Sequence, residues 1–271
     1  GNATGCNSRA EVETACNTHC SYAGITFTSQ AQINDFPVIY AGCTKIWGDI
    51  TIQDAPGGDV ITDLNPLSQI TEIGGSLKIY QNAGLTSLDG LHNITKIETN
   101  VDVYNNDALV DFNLNGLTTI GGFFWIDDND VLVNLYTTGG ITSIGGYLAI
   151  TYNPMLESLP LLGSLHHIGG NLNINDNAAL GSLEDLGNLY TIGGNLDINN
   201  NTSLVTLGGM SDVDIIGGDI LIYDNTALQV INGMNSLSSC GGDIQIYNNP
   251  AMTLISGFVV LPEIGGNLSI H

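Results

Sequence analysis

A nearly constant repeat of 24 residues constrains the fold of this chain more than any other feature. Nine units begin with Ile-Gly-Gly or a close variant, and each full unit runs I-G-G-x-L-x-I-x-x-N-x-x-L. The units start at Ile73, Ile97, Ile120, Ile144, Ile168, Ile192, Ile216, Cys240 and Ile264, spaced by 24 residues except for one step of 23. Self-similarity at this period is typical of solenoids, whose coils bury their apolar faces only against each other.

The first half of each unit alternates apolar and polar residues, as in Leu77-Lys78-Ile79-Tyr80. This period of two predicts a half-buried strand in every coil. Strands of consecutive coils then lie about 4.8 Å apart in one parallel sheet, which requires right-handed connections. The sequence therefore predicts an all-β fold, a right-handed single-chain β-solenoid that occupies residues 46–271, with a degenerate first coil that starts at Ile46.

An asparagine stands nine places after the start of every complete regular unit. Asparagine in a turn after a strand bonds backbone groups of its own coil and of the next coil, and in a stack such bonds form a ladder. We expect a structural, inward-facing ladder from Asn82, Asn106, Asn129, Asn153, Asn177, Asn201, Asn225 and Asn249. The paired glycines, which recur in nearly every unit, mark a tight corner where positive φ or close approach of two coils excludes a Cβ.

Residues 1–45 are predicted to form an N-terminal cap, since the first coil would otherwise expose its apolar end. A short helix is expected there, capped by Ser29 and ended by Pro37. Four cysteines of this segment, namely Cys6, Cys16, Cys20 and Cys43, indicate two disulfides and an oxidising compartment, with three pairings left open. A zinc site that includes Cys16, His19 and Cys20 is the alternative. Cys240 replaces a core Ile and is expected to be a buried, inert thiol.

Composition excludes two classes of partner. The chain has 4 basic and 27 acidic residues, a formal net charge of −23, so binding to nucleic acid or to an anionic membrane surface is not expected. It has no run of 18 apolar residues, so membrane insertion is not expected either. The acidic side chains are spread over the whole sequence, and we interpret their role as solubility. The alternative roles are binding of calcium or of a cationic partner.

The repeat, once read in full, is similar to a known family. The run I-G-G-x-L-x-I-x-x-N-x-x-L-x-x-L resembles the leucine-rich-repeat-like coil of the receptor L-domain superfamily. It also resembles coils of fungal wall proteins and of secreted bacterial surface proteins, whose entry segment is similar to residues 25–52 here. The resemblance implies an extracellular or cell-surface location and leaves function open, because fold does not fix function. Two residues rather than one separate the Asn from the next Leu, which favours a straighter solenoid than the horseshoe of ordinary leucine-rich repeats.

No catalytic constellation or metal motif is found in the sequence, so we expect no enzyme activity and no cofactor. The pair His166-His167 is interpreted as solvated. The densest group of oxygen ligands is Asp127-Asp128-Asn129-Asp130, where calcium is the alternative to a solvated turn.

The outward positions of the predicted sheet carry the best functional signal. They lie three, five and seven places after each unit start, and aromatic side chains there have no role in the core. We predict that Tyr80, Tyr104, Phe123, Trp125 and Tyr147 form one patch that binds a ligand. The alternative is that these side chains favour strands and cover one another.

Three functions follow from these observations. The first is a non-catalytic recognition or adhesion module that binds a glycan or a surface protein through the sheet face. The second is a structural subunit that associates end to end through its last, unfinished coil at Leu268-Ser269-Ile270-His271. Ice binding ranks below both, because it requires a regular Thr or Ser array and this face is mixed.

Overall fold

The computed structural model describes residues 23–135 and 140–271, with the exception of the side chain of Leu161. This part of the chain forms a β-solenoid of about 10 turns, nearly all β with little helix. The predicted fold class is thereby confirmed.

An 11-stranded parallel sheet, which we call the long sheet, runs the length of the solenoid and takes one strand from each coil. Its strands pair in exact repeat register, so Leu148 lies opposite Leu172 and Ile150 opposite Ile174. In order across the sheet they are β1 (Ile25–Phe27), β3 (Ile50–Ile52), β5 (Leu77–Tyr80), β7 (Val101–Tyr104), β9 (Phe124–Asp127), β11 (Leu148–Thr151), β13 (Leu172–Asn175), β15 (Leu196–Asn199), β17 (Ile220–Tyr223), β20 (Ile244–Tyr247) and β22 (Leu268–Ile270).

A second parallel sheet of nine two-residue strands precedes the long sheet in each coil. These strands end on the Ile, or the Cys, that starts a unit. They are β2 (Lys45–Ile46), β4 (Glu72–Ile73), β6 (Lys96–Ile97), β8 (Thr119–Ile120), β10 (Ser143–Ile144), β12 (His167–Ile168), β14 (Thr191–Ile192), β16 (Ile215–Ile216) and β19 (Ser239–Cys240). A two-stranded pair, β18 (Val230–Ile231) and β21 (Leu254–Ile255), and four short 3₁₀ turns at Asn65–Leu67, Pro160–Leu162, Glu184–Leu186 and Gly208–Met210 complete the coils.

The helix α1 (Gln30–Ile39) covers the first coils, and its own residues Ile33 and Phe36 are fully buried against them. Ser29 is its N-cap, as predicted, and accepts a hydrogen bond from the Gln32 N–H. The prediction that Pro37 ends the helix is wrong, because Pro37 lies inside it. Proline removes one backbone donor there, and the last turn is still closed by the Tyr40 N–H, which donates to Phe36 O at 2.9 Å.

The asparagine column lies inside the solenoid. All eight side chains are buried, and each side-chain Nδ2 donates to one backbone oxygen of the preceding coil and one of its own coil. Asn177 Nδ2 donates to Ile150 O of the preceding coil at 2.8 Å and to Asn175 O at 3.0 Å. The Asn177 N–H donates to Oδ1 of Asn201 in the next coil at 3.1 Å. The ladder therefore satisfies backbone groups that the turn would otherwise bury unpaired.

Close approach of successive coils, rather than positive φ, explains the paired glycines. A Cβ on Gly169 would lie 2.1 Å from Gly145 O, and one on Gly193 would lie 2.3 Å from Gly169 O. Positive φ occurs instead at the residue just before each ladder asparagine, for example 59° at Asp176. The glycine column therefore sets how tightly the coils stack at this corner.

Candidate functional site

Five aromatic side chains lie together on the outer face of the long sheet, across β5, β7, β9 and β11. Tyr80 and Tyr104 stack with ring centroids 4.9 Å apart and an interplanar angle of 2°. Trp125 continues this stack, 5.3 Å from Tyr104 at 22°. Phe123 and Tyr147 form a second stack at 4.7 Å and 5°. We call these five residues the aromatic cluster, and each of them is half-buried.

The register of the sheet explains these contacts. Tyr80 is paired directly with Tyr104, so their rings share one column. Trp125 is paired with Asp102, one column away, and reaches Tyr104 diagonally. Strands about 4.8 Å apart hold planar rings at the separation that stacking prefers. The sequence pattern thus brings all five predicted residues to one surface.

Asp102 lies beneath this cluster and is the most unusual group on the face. It occupies an outward position of β7, between Lys78 and Trp125 in the paired register, yet it is only 8% exposed. No donor among the described residues lies within hydrogen-bonding distance of its Oδ1. Burial raises the pKa of Asp102 from 3.8 to about 6, although the charge of Lys78 opposes that shift. A carboxylate in such surroundings carries an uncompensated desolvation cost.

The nearest cation on the face is already paired. Lys78 Nζ donates to Asp49 Oδ2 at 2.8 Å, an ion pair between side chains that are 37% and 48% exposed. This hydrogen bond and the Ser76 backbone N–H lower the pKa of Asp49. Lys78 therefore acts on Asp102 through its charge, without a direct hydrogen bond.

Asp127 is another carboxylate at the edge of the aromatic cluster, and it is half-buried. Burial raises its pKa, while hydrogen bonds from Thr151 and Trp125 act in the opposite direction. The charge of Asp102 also contributes, after burial, to the raised pKa values of Tyr104 and Tyr147. Asp102 therefore acts electrostatically on both stacks.

A second side-chain ladder runs along the column just before the strands, and sequence reasoning missed it. Here an Asx side chain accepts the backbone N–H of the equivalent residue in the next coil. Asn171 Oδ1 accepts from Asn195 N at 2.9 Å, and Asn195 Oδ1 accepts from Asp219 N at 2.9 Å. The same bond is made by Asp49, Asn100, Asp219 and Asp243. The signal was present in the sequence as a recurring Asn or Asp at this position.

The aromatic cluster interrupts this ladder. Phe123 and Tyr147 occupy the column in the two coils of β9 and β11, where no Asx acceptor is available. The Asx acceptor of this hydrogen bond, which is present in most coils, is thus absent at the positions of Phe123 and Tyr147. Departures of this kind are expected at functional sites.

Several outward positions are not exposed, which corrects the expectation for this face. Ser76, Asp102, Ala149 and Asn199 are all at most 8% exposed. Short side chains in these columns are covered by longer neighbours on adjacent strands. The exposed surface is therefore formed by the rings and the long polar side chains.

A second aromatic stack lies further along the same face and was not among the predicted site residues. Tyr223 and Tyr247 stack at 4.9 Å and 8°, and His271 follows at 5.6 Å and 11°. Between the two stacks the outward positions of β13 and β15 carry Asn173, Asn175 and Asp197. The face is thus aromatic near both ends and amide-rich in the middle.

The cysteine predictions fall partly outside the described residues. Cys6, Cys16 and Cys20 lie outside the described residues, and so does the alternative zinc site. The two disulfides therefore stay a prediction. Cys43 is buried in the described part of the cap. Cys240 is a free thiol, 4% exposed, and burial raises its pKa.

The four residues of the alternative calcium site, Asp127-Asp128-Asn129-Asp130, do not all face one site. Asn129 is fully buried and its amide belongs to the asparagine ladder. Across residues 23–135 and 140–271, no group of three or more His, Cys, Asp or Glu side chains is placed to hold a metal ion. In the same residues no helix has the length and apolar character needed to cross a bilayer.

Comparison with known proteins gives a family match over part of the chain. Residues 42–138 match the family model described as the receptor L domain. The β-solenoid of the structure is consistent with a receptor L-domain-like solenoid. Receptor L domains occur in extracellular receptors, mediate ligand binding and are typically non-catalytic. No significant similarity to a curated protein or to a solved structure was found.

Proposed function

We propose that this receptor L-domain-like solenoid is a non-catalytic, extracellular recognition or adhesion module. It binds a glycan or a surface protein through the aromatic cluster on the long sheet. The observation that carries the proposal is the grouping of five half-buried rings over the buried, unpaired carboxylate of Asp102. The position of Phe123 and Tyr147 in a column that holds Asn or Asp in most coils supports it.

The energetics of the rings agree with a binding role. A stacked pair on a strand face contributes about 0.5–1.5 kcal/mol beyond its area burial, so the cluster does support the fold to some extent. Aromatic anchors at the centre of an interface contribute more than that, commonly about 2 kcal/mol or more. Removal of one ring should therefore weaken binding by much more than it weakens folding.

The test is a binding assay with matched variants of the same sheet face. Trp125→Ala removes the end of the first stack, and Asn173→Ala removes a side chain of the amide-rich middle. Glycan and surface-protein arrays probed with the wild type define the ligand, and both variants are then measured on it. We expect Trp125→Ala to lose binding and Asn173→Ala to keep it, with circular dichroism unchanged for both. Binding that survives Trp125→Ala would remove the aromatic cluster as the site.

A further inference from the structure

We propose that the aromatic cluster accepts a guanidinium group, the side chain of an arginine on a basic protein partner, with Asp102 as its counter-ion. This inference rests on the proposed function and names the chemistry of the ligand at the same site. It follows from three features of the face: an unpaired buried carboxylate, flat rings beside it and an excess of negative charge.

The carboxylate is the first feature. Asp102 is more than nine-tenths buried at an outward strand position, and its Oδ1 has no donor among the described residues. A buried acceptor without a partner costs free energy, and a donor supplied by a ligand removes that cost. The site therefore selects for a group that donates hydrogen bonds to a carboxylate.

The surrounding charge favours a cationic donor over a neutral hydroxyl. Lys78 is bonded to Asp49, so Asp102 has no ion-pair partner of its own in the described part of the chain. Asp127 adds another carboxylate, half-buried, on the same strand as Trp125. The other lysines, Lys45 and Lys96, are likewise paired with carboxylates. With a formal net charge of −23, the chain attracts cations from a distance as well as at the site.

The rings favour guanidinium over ammonium. Tyr104 and Trp125 lie nearly parallel beside Asp102, and the ring of Trp125 ends that stack. A guanidinium is planar, stacks on aromatic faces and donates in its own plane to a carboxylate, in a bidentate manner. An ammonium is a compact, strongly hydrated charge that loses more hydration in such a site. One arginine side chain thus matches both the rings and the carboxylate.

The experiment uses the fluorescence of Trp125 in the full chain. The chain has two tryptophans, so Trp47→Phe leaves Trp125 as the only reporter. The probe is an acetylated and amidated glycine peptide with two arginines. Matched peptides carry citrulline, which has a similar shape without charge, or lysine at the same positions. A neutral oligosaccharide serves as the fourth probe.

Two isosteric variants locate the contact. Asp102→Asn keeps the shape and removes the charge under the rings. Asp197→Asn is the matched control, since Asp197 occupies the same column on β15, is half-buried where Asp102 is buried, and accepts a hydrogen bond from Asn199 away from any ring of the cluster. We expect saturable quenching or shift of Trp125 with the arginine peptide, and at least about tenfold weaker binding for citrulline and for Asp102→Asn. Asp197→Asn should change the affinity by less than about twofold.

Each other outcome is decisive. Equal binding of the citrulline peptide, or an affinity unchanged by Asp102→Asn, overturns the inference. Equal binding of the lysine peptide overturns the choice of guanidinium. If the arginine peptide gives no saturable signal while Trp125→Ala still abolishes binding on the arrays, the inference fails and the proposed function stands. If Trp125→Ala leaves binding on the arrays unchanged, the proposed function itself is wrong, and the inference that rests on it is wrong as well.

Discussion

Replacing Asp102 by asparagine is expected to stabilise the protein at neutral pH, although most substitutions of buried residues destabilise. Asp102 has a pKa raised from 3.8 to about 6, chiefly by burial, with Lys78 lowering it and Asp49 raising it. Between these two pH values the folded chain holds a proton that the unfolded chain releases. This group therefore favours folding most at low pH, and that contribution is lost as the pH rises through about 6.

The magnitude follows from the shift. About two pKa units at 1.36 kcal/mol each correspond to roughly 3 kcal/mol of cost for the ionised carboxylate above pH 6. Asparagine removes the charge, but its polar amide is still buried. Desolvation of that amide costs about 1 kcal/mol, which reduces the gain in stability. We expect Asp102→Asn to raise the free energy of unfolding by roughly 1–2 kcal/mol at pH 7.5 and by almost nothing near pH 4.

Urea unfolding followed by circular dichroism at both pH values measures this difference. Asp197→Asn is again the control, because its carboxylate accepts a hydrogen bond from Asn199 at 2.8 Å that already compensates part of its charge. A gain of equal size at pH 4 and pH 7.5 would show that the charge is not its cause. A variant less stable than the wild type at pH 7.5 would refute the desolvation argument altogether.

Three further substitutions or reactions test the scaffold. Asn177→Ala should lower the free energy of unfolding by roughly 1–3 kcal/mol, because it leaves buried backbone groups of the ladder unpaired; a loss below about 0.5 kcal/mol contradicts this. Gly169→Ala should destabilise strongly, since its Cβ would meet Gly145 O at 2.1 Å, whereas Gly181→Ala, with 4.0 Å of space, should not. Cys240 should react slowly with iodoacetamide in the native state and quickly in urea, because burial raises its thiol pKa; fast native alkylation would place it at the surface.

The repeat period allowed the aromatic contacts to be predicted without a structure. Residues 24 apart in a solenoid occupy equal positions in successive coils, so long-range neighbours follow from simple counting. That is why the grouping of Tyr80, Tyr104 and Trp125 in one patch could be predicted from the sequence, and why the asparagine column could be placed inside. Their role in ligand binding stays a proposal.

The sequence by itself determined the coil, its register and which columns face outward, because these depend on period and on local alternation of apolar and polar residues. Only the tertiary structure decided how deeply each outward side chain is covered. Asp102 is buried between the larger side chains of Lys78 and Trp125, with which it is paired, and burial of that kind depends on the size and rotamer of lateral neighbours. The same holds for Pro37, where packing of Phe36 against the core outweighs a local stop signal.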